Sequence, residues 1–214
     1  MSEDPWPFFG LAITTPRLEL RYATDDLLLE LTRVAHDVVR PGTLPFDGDA
    51  TFYDTTSAGR RRWLAGQWSA RARTSPDWWV LVFAVLVDGR AVGTQEVIGT
   101  DFLRLRTVST FSWLTGVYQG RGLGREMREA VLHLAFEGLD AERAESEAFE
   151  DNIASCSVSR AIGYEPNGTT WALRKGEPAP MKRFLLTRDG WLTRRRQDVS
   201  IRGLERCLPL LGLG

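Results

Sequence analysis

A glycine-rich segment, residues 119–125, combines residue types that could hold a phosphate group. Its residues are Gln119, Gly120, Arg121, Gly122, Leu123, Gly124 and Arg125. The segment lies where a predicted strand ends and a predicted helix begins, so several backbone N–H groups at the positive end of the helix would be free. Glycine allows an anion to approach the backbone closely, and the two arginines add positive charge. The segment could therefore bind a pyrophosphate, although the glycines alone are equally compatible with an ordinary tight turn.

Two well-known phosphate-binding motifs do not fit this segment. A dinucleotide-binding fingerprint needs a third glycine at the position that Arg125 occupies, and a P-loop needs Gly-Lys-Ser/Thr, which the segment lacks. These mismatches disfavour a nucleotide-dependent enzyme.

A second polar segment, residues 151–155, precedes another predicted helix. Asn152 can cap that helix through its side-chain oxygen. This placement would put Ser155 in the first helical turn, with its hydroxyl group near the positive end of the helix. For Asn152, a capping role and a contact with a bound coenzyme are equally supported and compatible with each other.

The elements that position both segments follow from the hydrophobic pattern. Alternating or continuous apolar runs predict strands, and apolar spacings of three and four predict helices. Strands are predicted at residues 17–22, 78–87, 91–98, 107–118, 142–149, 164–174 and 181–188, helices at 24–39, 57–73, 122–137 and 152–162, and a loop at 41–56. This order predicts an α+β fold with a central mixed, mostly antiparallel, twisted sheet flanked by helices.

Composition narrows the class of protein. The 214 residues, 43% of them hydrophobic, predict a single domain over 1–214 with a short N-terminal arm and a C-terminal tail over about 190–214. Formal net charge is −1, from 27 basic and 28 acidic residues, which disfavours a nucleic-acid or membrane partner. The two cysteines, Cys156 and Cys207, predict neither a disulfide framework nor a metal motif. Residues 1–10 lack the pattern of a signal peptide. We therefore expect a cytoplasmic protein without a metal.

Three segments together resemble the GNAT superfamily of N-acyltransferases. Gln119, Gly122 and Gly124 match its Gln/Arg-x-x-Gly-x-Gly/Ala signature. Residues 151–164 resemble the Asn-x-x-Ser…Leu-Gly-Phe segment of the RimJ/RimL-type branch, and residues 15–21 resemble the way that branch begins. The resemblance implies a GNAT-like fold and direct transfer of an acyl group from acetyl-CoA or succinyl-CoA to an amine.

The resemblance also implies roles for individual residues. The N–H groups of the strand stretch from Leu114 to Val117 would stabilise the oxyanion formed at the thioester. Ser155 matches the position of the residue that protonates the leaving thiolate, although a serine could instead only donate a hydrogen bond to sulfur. Catalytic roles fall on Ser155 and Asn152. The implied coenzyme-binding residues are Leu114, Val117, Gln119, Gly120, Arg121, Gly122, Leu123, Gly124, Arg125, Asn152 and Ser155.

The acyl donor has two candidates. The whole chain, including residues 203–211, resembles an actinobacterial group that contains a mycobacterial succinyl-CoA-using transferase. A succinyl carboxylate in a closed pocket requires a paired cation, for which the sequence offers Arg17, Arg21, Arg104 and Arg106. The alternative, which has nearly equal support, is that these arginines are solvated and acetyl-CoA is the donor.

The general base and the acceptor remain open at the level of sequence. An amine with a pKa of about 8 to about 10.4 must lose a proton before it attacks, and Glu96, Asp101, Glu147 or water could accept that proton. A small molecule or a protein could supply the amine, and a homo-oligomer is compatible with the pattern. An alternative function is a non-catalytic acyl-CoA-binding sensor or regulatory module, because the glycine segment indicates coenzyme binding only.

Overall fold

The computed structural model describes residues 5–35, 38 and 54–214, and these form a nine-stranded sheet. The strands are β1 (Ala12–Thr14), β2 (Glu19–Tyr22), β3 (Trp78–Val87), β4 (Arg90–Thr100), β5 (Thr107–Leu114), β6 (Arg143–Phe149), β7 (Glu165–Arg174), β8 (Glu177–Thr187) and β9 (Ser200–Arg202). Their order is β7-β8-β6-β5-β4-β3-β2-β1-β9. Neighbouring strands are antiparallel except for β5 and β6, which are parallel.

Six α-helices accompany the sheet in the described residues. They are α1 (Asp25–Val34), α2 (Ser57–Ala72), α3 (Phe102–Leu105), α4 (Leu123–His133), α5 (Ile153–Ile162) and α6 (Arg188–Leu192). A π-helical turn, Leu134–Gly138, continues α4, and short 3-10 turns occupy Pro7–Gly10, Gly116–Tyr118 and Leu208–Leu211.

Strand β3 shows why the sheet is covered on both faces. Its apolar run has no polar interruption, and successive side chains of a strand point to opposite faces. Leu81 and Phe83 join the core that contains residues of α4 and α5, whereas Val80 and Val82 join the core that contains residues of α1 and α2. The mixed, mostly antiparallel sheet with helices on both faces confirms the predicted α+β class.

The turn between β3 and β4 is a tight two-residue hairpin turn. Asp88 and Gly89 both have positive φ angles, 49° and 77°, as a two-residue turn matched to the twist of the strands requires. The two strands then pair from Trp78 to Val87, with one irregularity at Val85/Leu86.

Two predicted strand boundaries were wrong by four residues, and the other predicted strands differ from the observed bounds by two residues at most. The strand predicted at 107–118 ends at Leu114, because the N–H of Thr115 makes the last bond to β4 and the backbone then turns into the 3-10 turn Gly116–Tyr118. Strand β8 begins at Glu177 rather than at 181. Pro178 and Pro180 are tolerated there because β6 pairs only from Met181 onwards, so one side of β8 requires no N–H donors at these two positions.

The ends of the described chain hold two strands that periodicity did not predict. Strands β1 and β9 have three residues each, too few to show an alternating pattern, and they pair with each other. The tail beyond β9 is part of the core, since Leu204, Cys207 and Leu211 are buried. Part of the predicted helix 24–39 and of the predicted loop 41–56 lies outside the described residues.

Within the described part of the chain, no helix is both long enough and apolar enough to cross a lipid bilayer.

Candidate functional site

Strands β5 and β6 separate in the middle of the sheet. They pair only from Thr107 to Ser109 against Arg143 to Glu145, after which they diverge. A cavity of about 1200 Å³ occupies the gap. Because β4 pairs with the other edge of β5, those backbone groups of residues 110–114 that point toward β6 have no strand partner in the described structure. The gap therefore offers main-chain hydrogen-bonding groups in a cavity within the sheet.

The cavity reaches both faces of the sheet. Phe111 and Trp113 line it and belong to the core under α1 and α2. Met127 and Val158 also line it and belong to the core formed with α4 and α5. Two molecules could therefore approach the same gap from opposite sides of the sheet.

The glycine turn forms one wall of the cavity. Gly120 and Gly122 have positive φ angles, 74° and 77°, and Gly122 caps α4 without any side-chain hydrogen bond. A Cβ atom at Gly120 would meet nothing within 4 Å, and one at Gly122 would meet only Nη2 of Arg17, at 3.6 Å. Internal packing thus does not fill the space at these two Cβ positions, and the first N–H groups of α4 have no partner within the helix.

Gln119 holds the turn against the end of β5. Its Nε2 donates to the carbonyl oxygen of Leu114 at 2.8 Å and to that of Val38 at 2.9 Å. These bonds supply partners for two main-chain oxygens, so Gln119 has a structural role whether or not it also contacts a coenzyme.

The structure brings most of the predicted coenzyme-binding residues to the cavity but not all of them. Those that line it are Leu114, Gln119, Gly120, Gly122, Gly124, Arg125, Asn152 and Ser155. Leu123 is buried in the core instead, and Arg121 lies over the ring of Tyr118. Val117 is 62% exposed on the 3-10 turn, outside the cavity lining, because β5 ends three residues earlier.

Asn152 and Ser155 stand at the N-terminus of α5 and line the same cavity as the glycine turn. The Oδ1 atom of Asn152 accepts a hydrogen bond from the N–H of Ser155 at 3.1 Å, which confirms the predicted cap. Asp151, beside them, is held by two hydrogen bonds from Arg174. The bond from Arg174 lowers the pKa of Asp151 below its ordinary value, so Asp151 is a poor proton acceptor at neutral pH.

Glu126 supports the glycine turn, and sequence patterns gave no signal for this role. It is buried in the first turn of α4 and accepts hydrogen bonds from Thr15 Oγ1 at 2.7 Å and Arg17 Nε at 2.6 Å. Burial raises the pKa of this carboxyl, but the hydrogen bonds from Thr15 and Arg17 outweigh that effect and hold the pKa below its ordinary value. The segment around Thr15 and Arg17, which resembled the start of the RimJ/RimL-type branch, thus anchors the helix that carries the glycine turn.

Only one of the three candidate bases lines the cavity. Glu147 does so from β6, and its Oε1 atom accepts a hydrogen bond from Arg183 Nε at 3.1 Å. Glu96 lies on β4 opposite Phe111, and Asp101 precedes α3, both outside the cavity lining.

None of the four arginines considered for a succinyl carboxylate lines the cavity. Arg17 is paired with Glu126, Arg21 with Glu19 and Arg104 with Asp101. Arg106 lies over the ring of Phe102, 5.6 Å from its centroid. Their proximity to predicted site segments in the sequence therefore does not bring them into the cavity lining, although Arg17 Nη2 lies 3.6 Å from the position that a Cβ atom would take at Gly122.

A different arginine, Arg128 on α4, does line the cavity, and sequence patterns gave no signal for it. It is 5% exposed and donates hydrogen bonds to three serines, one on each of β5, β6 and α5. Its position in the helix looks like that of a surface residue. Only the tertiary structure shows that its side chain is buried.

No group of three or more histidine, cysteine, aspartate or glutamate side chains that could hold a metal ion occurs among the residues described.

Comparisons with known proteins agree with this geometry. The family described as “Acetyltransferase (GNAT) domain” matches residues 17–165. Mycobacterium smegmatis RimJ in complex with CoA-disulfide has 15% sequence identity and a TM-score of 0.71, and the alignment covers 95% of each chain.

Two further solved structures have the same architecture. A ribosomal-protein-S5-alanine acetyltransferase from Vibrio fischeri has 15% identity and a TM-score of 0.66, covering 84% of this chain and 98% of its own. An acetyltransferase (GNAT family) from Bacillus anthracis has 16% identity and a TM-score of 0.62, covering 83% of this chain and 99% of its own. At these identities, the similarity shows a shared fold.

Proposed function

The chain belongs to the GNAT acetyltransferase family, and from this premise we propose that it transfers an acetyl or succinyl group from coenzyme A to an amine. The observation that carries the proposal is the cavity between β5 and β6, which is lined by residues at the N-termini of α4 and α5 and by a stretch of β5 that pairs with no strand on its β6 side. These are the features that a thioester coenzyme and its reacting carbonyl require.

The pyrophosphate of the coenzyme is proposed to bind at the glycine turn. Leu123, Gly124 and Arg125 supply the first N–H groups of α4, which have no partners within the helix. Arg125 adds positive charge at the rim, although its Nε is paired with Glu129 Oε1 at 2.7 Å. The positive φ angle of Gly122 orients the backbone, and the lack of a side chain leaves room for the phosphates.

The thioester is proposed to lie against the edge of β5 that faces the cavity, beyond the last residue paired with β6. The amine nitrogen attacks the carbonyl carbon, and the oxygen then carries a negative charge that the main-chain N–H groups near Leu114 can stabilise. When the carbon–sulfur bond breaks, its electron pair leaves with sulfur. Ser155, in the first turn of α5, is proposed to donate a hydrogen bond to that sulfur, and Asn152 fixes the turn that presents Ser155.

Glu147 is proposed as the general base, directly or through a water molecule. Among the candidates considered, it is the one that lines the cavity, and it is solvent-exposed, so it can pass a proton to water. Arg183 orients its carboxylate from β8.

The acceptor is proposed to be an amine of a small molecule or of a protein. A similar solved structure is that of a ribosomal-protein-S5-alanine acetyltransferase, which supports a protein as the acceptor. We further propose that the enzyme works in the cytoplasm, since both Cys156 and Cys207 are free thiols.

The test is release of free thiol from acetyl-CoA and from succinyl-CoA in the presence of a panel of amines. We expect thiol release that depends on both the amine and the enzyme and that is lost in Gly122→Val. A protein that binds the thioesters with high affinity, yet releases no thiol with any amine, would instead support the non-catalytic sensor. Comparing kcat/KM for the two thioesters with one amine decides between the donors.

A further inference from the structure

A positive charge is buried where β5 and β6 begin to separate. Arg128 projects from α4 between the two strands, and its guanidinium donates to Ser112 of β5 at 3.2 Å and to Ser146 of β6 at 3.0 Å. A third bond, 3.1 Å long, goes to Ser159 of α5. The residue is 5% exposed and forms part of the cavity lining.

These three hydrogen bonds do not neutralise the charge of Arg128. The partners are uncharged hydroxyl groups, and no carboxylate of the described residues lies within ion-pair distance of Arg128. The titratable group that acts on Arg128 is Tyr164, and burial raises the pKa of Tyr164 to about 12, so Tyr164 is neutral at physiological pH. The guanidinium therefore remains a cation without a counter-charge.

The guanidinium also has hydrogen-bonding capacity to spare. A guanidinium has five N–H donors, and the serines use three of them. The Nε–H is buried and has no hydrogen-bond partner among the described residues. A carboxylate is the group that best matches both unmet requirements, because it supplies a negative charge and two acceptor oxygens.

The other arginines that line the cavity already have carboxylate partners. Arg125 is paired with Glu129, and Arg174 makes two bonds to Asp151. An unpaired buried charge is costly, and a protein retains one where a ligand compensates for it. Of the arginines that line the cavity, Arg128 is thus the one without a carboxylate partner among the described residues, which indicates that a ligand supplies the carboxylate.

We propose that Arg128 recognises a carboxylate carried by one of the substrates bound in the cavity. This inference rests on the proposed acyltransferase function and extends it to a substrate class. Two sources of the carboxylate share this chemistry, namely the free end of a dicarboxylic acyl group on the coenzyme and a carboxylate on the acceptor amine. Ser112, Ser146 and Ser159 hold the guanidinium in place, and no bond to Arg128 forms or breaks.

The experiment has two arms that separate these sources. In the donor arm, succinyl-CoA and acetyl-CoA are compared with one uncharged amine acceptor. In the acceptor arm, amino acids are compared with their amides, with acetyl-CoA as the donor. Each arm measures kcat/KM by thiol release and affinity by calorimetry, for the parent, for Arg128→Gln and for Arg128→Lys. The matched control is Arg188→Gln, which removes an arginine paired with Asp140 outside the cavity.

We expect the parent to prefer the carboxylate-bearing substrate in one arm, and Arg128→Gln to reduce that preference about 10- to 100-fold, the usual range for a charged hydrogen bond. Arg128→Lys should retain part of the preference, and the control should retain all of it. The proposal is overturned if the parent shows no carboxylate preference in either arm, or if Arg128→Gln lowers activity equally with both members of each pair, as a purely structural role would.

The design separates this proposal from the proposed function. If thiol is never released, the acyltransferase proposal fails, and the calorimetric comparison of each carboxylate with its neutral analogue still tests Arg128. If neither Arg128 variant folds, Ser112→Ala and Ser146→Ala take their place, because each removes one hydrogen bond that holds the guanidinium, and an unchanged carboxylate preference in both contradicts the proposal.

Discussion

Gly122 is the residue on which coenzyme binding should depend most. Its φ angle of 77° is strained for any residue with a side chain, and it lines the cavity with only Arg17 Nη2 near the position that a Cβ atom would take. We predict that Gly122→Val abolishes binding of acetyl-CoA and succinyl-CoA, because two methyl groups would block the approach of the pyrophosphate. Calorimetry on the folded variant provides the measurement.

Gly89 offers the matched control for that substitution. Its φ angle is also 77°, it has open space around it, and it lies in the hairpin between β3 and β4. Gly89→Val should carry a similar backbone cost, of about 1–2 kcal/mol, with coenzyme binding intact. Equal binding by Gly122→Val and the parent would place the coenzyme elsewhere.

Ser155 should matter more for turnover than for binding. Its proposed contact strengthens as sulfur becomes a thiolate, so we predict that Ser155→Ala lowers kcat about 10-fold or more, equivalent to about 1.4 kcal/mol, with little change in coenzyme affinity. Ser157→Ala, an exposed serine on the same helix, is the control. An unchanged kcat at saturating substrate would show that Ser155 has only a structural role at the start of α5.

The residues of the site differ in how far they could be predicted. The cap formed by Asn152 and Ser155 is local, with both partners within one helical turn, and the sequence was sufficient to predict it. Glu126 and Arg128 could not be predicted because their partners lie far away in the sequence, on β5, β6, α5 and the segment before β2.

At the scale of elements, the N-terminus of α4 depends on the buried carboxylate of Glu126. The lowered pKa of this group means that it contributes stability above about pH 4.5, and this contribution is lost as the pH falls through the lowered value. We predict that Glu126→Gln reduces the free energy of unfolding at pH 7 by about 1–2 kcal/mol, discounted because Arg17 is partly exposed.

The free energy of unfolding of Glu126→Gln should depend less on acid pH than that of the parent. As the pH falls below about 4.5 and through the lowered pKa of Glu126, denaturant unfolding should show the two proteins approaching each other in stability, because protonation removes the contribution that only the parent has. The exposed Glu150, changed to glutamine, should behave like the parent. A constant difference between Glu126→Gln and the parent across this range would show that the charge of Glu126 is not the stabilising factor.

Long elements were predicted more accurately than short ones, for a physical reason. Strand β3 and helices α2 and α5 contain enough residues for a period to show, and their predicted and observed bounds differ by one residue at most. The end of β5 was missed because the backbone leaves the sheet without a proline or a glycine at the last paired residue. The separation of β5 from β6, which creates the cavity, depends on pairing between segments more than thirty residues apart and leaves no local pattern.

At the scale of the whole molecule, the fold confirms the GNAT-like architecture expected from the motifs. We propose that residues 1–214 act as one domain, including the tail. Leu211 is fully buried in the core that contains α4, and it follows the strand β9 that pairs with β1. The tail therefore belongs to the structure that supports the glycine turn.

We predict that Leu211→Ala lowers the free energy of unfolding by about 2–5 kcal/mol, the range for truncation of a buried leucine. Unfolding should remain a single transition when tryptophan fluorescence and circular dichroism are compared, since one core is affected. Leu210→Ala, at the more exposed neighbouring position, should cost much less. Two separate transitions would divide the chain into independent units.

The cavity that reaches both faces of the sheet has a consequence for the order of events in a catalytic cycle. If the coenzyme enters from the side of α4 and α5 and the amine from the side of α1 and α2, neither must leave before the other arrives. We predict a sequential mechanism through a ternary complex, with initial-rate lines that intersect when both substrates are varied. Parallel lines would indicate that the acyl group is first transferred to the enzyme. Cys156 is poorly placed for that step, because it is buried and its thiol donates a hydrogen bond to the carbonyl oxygen of Phe149.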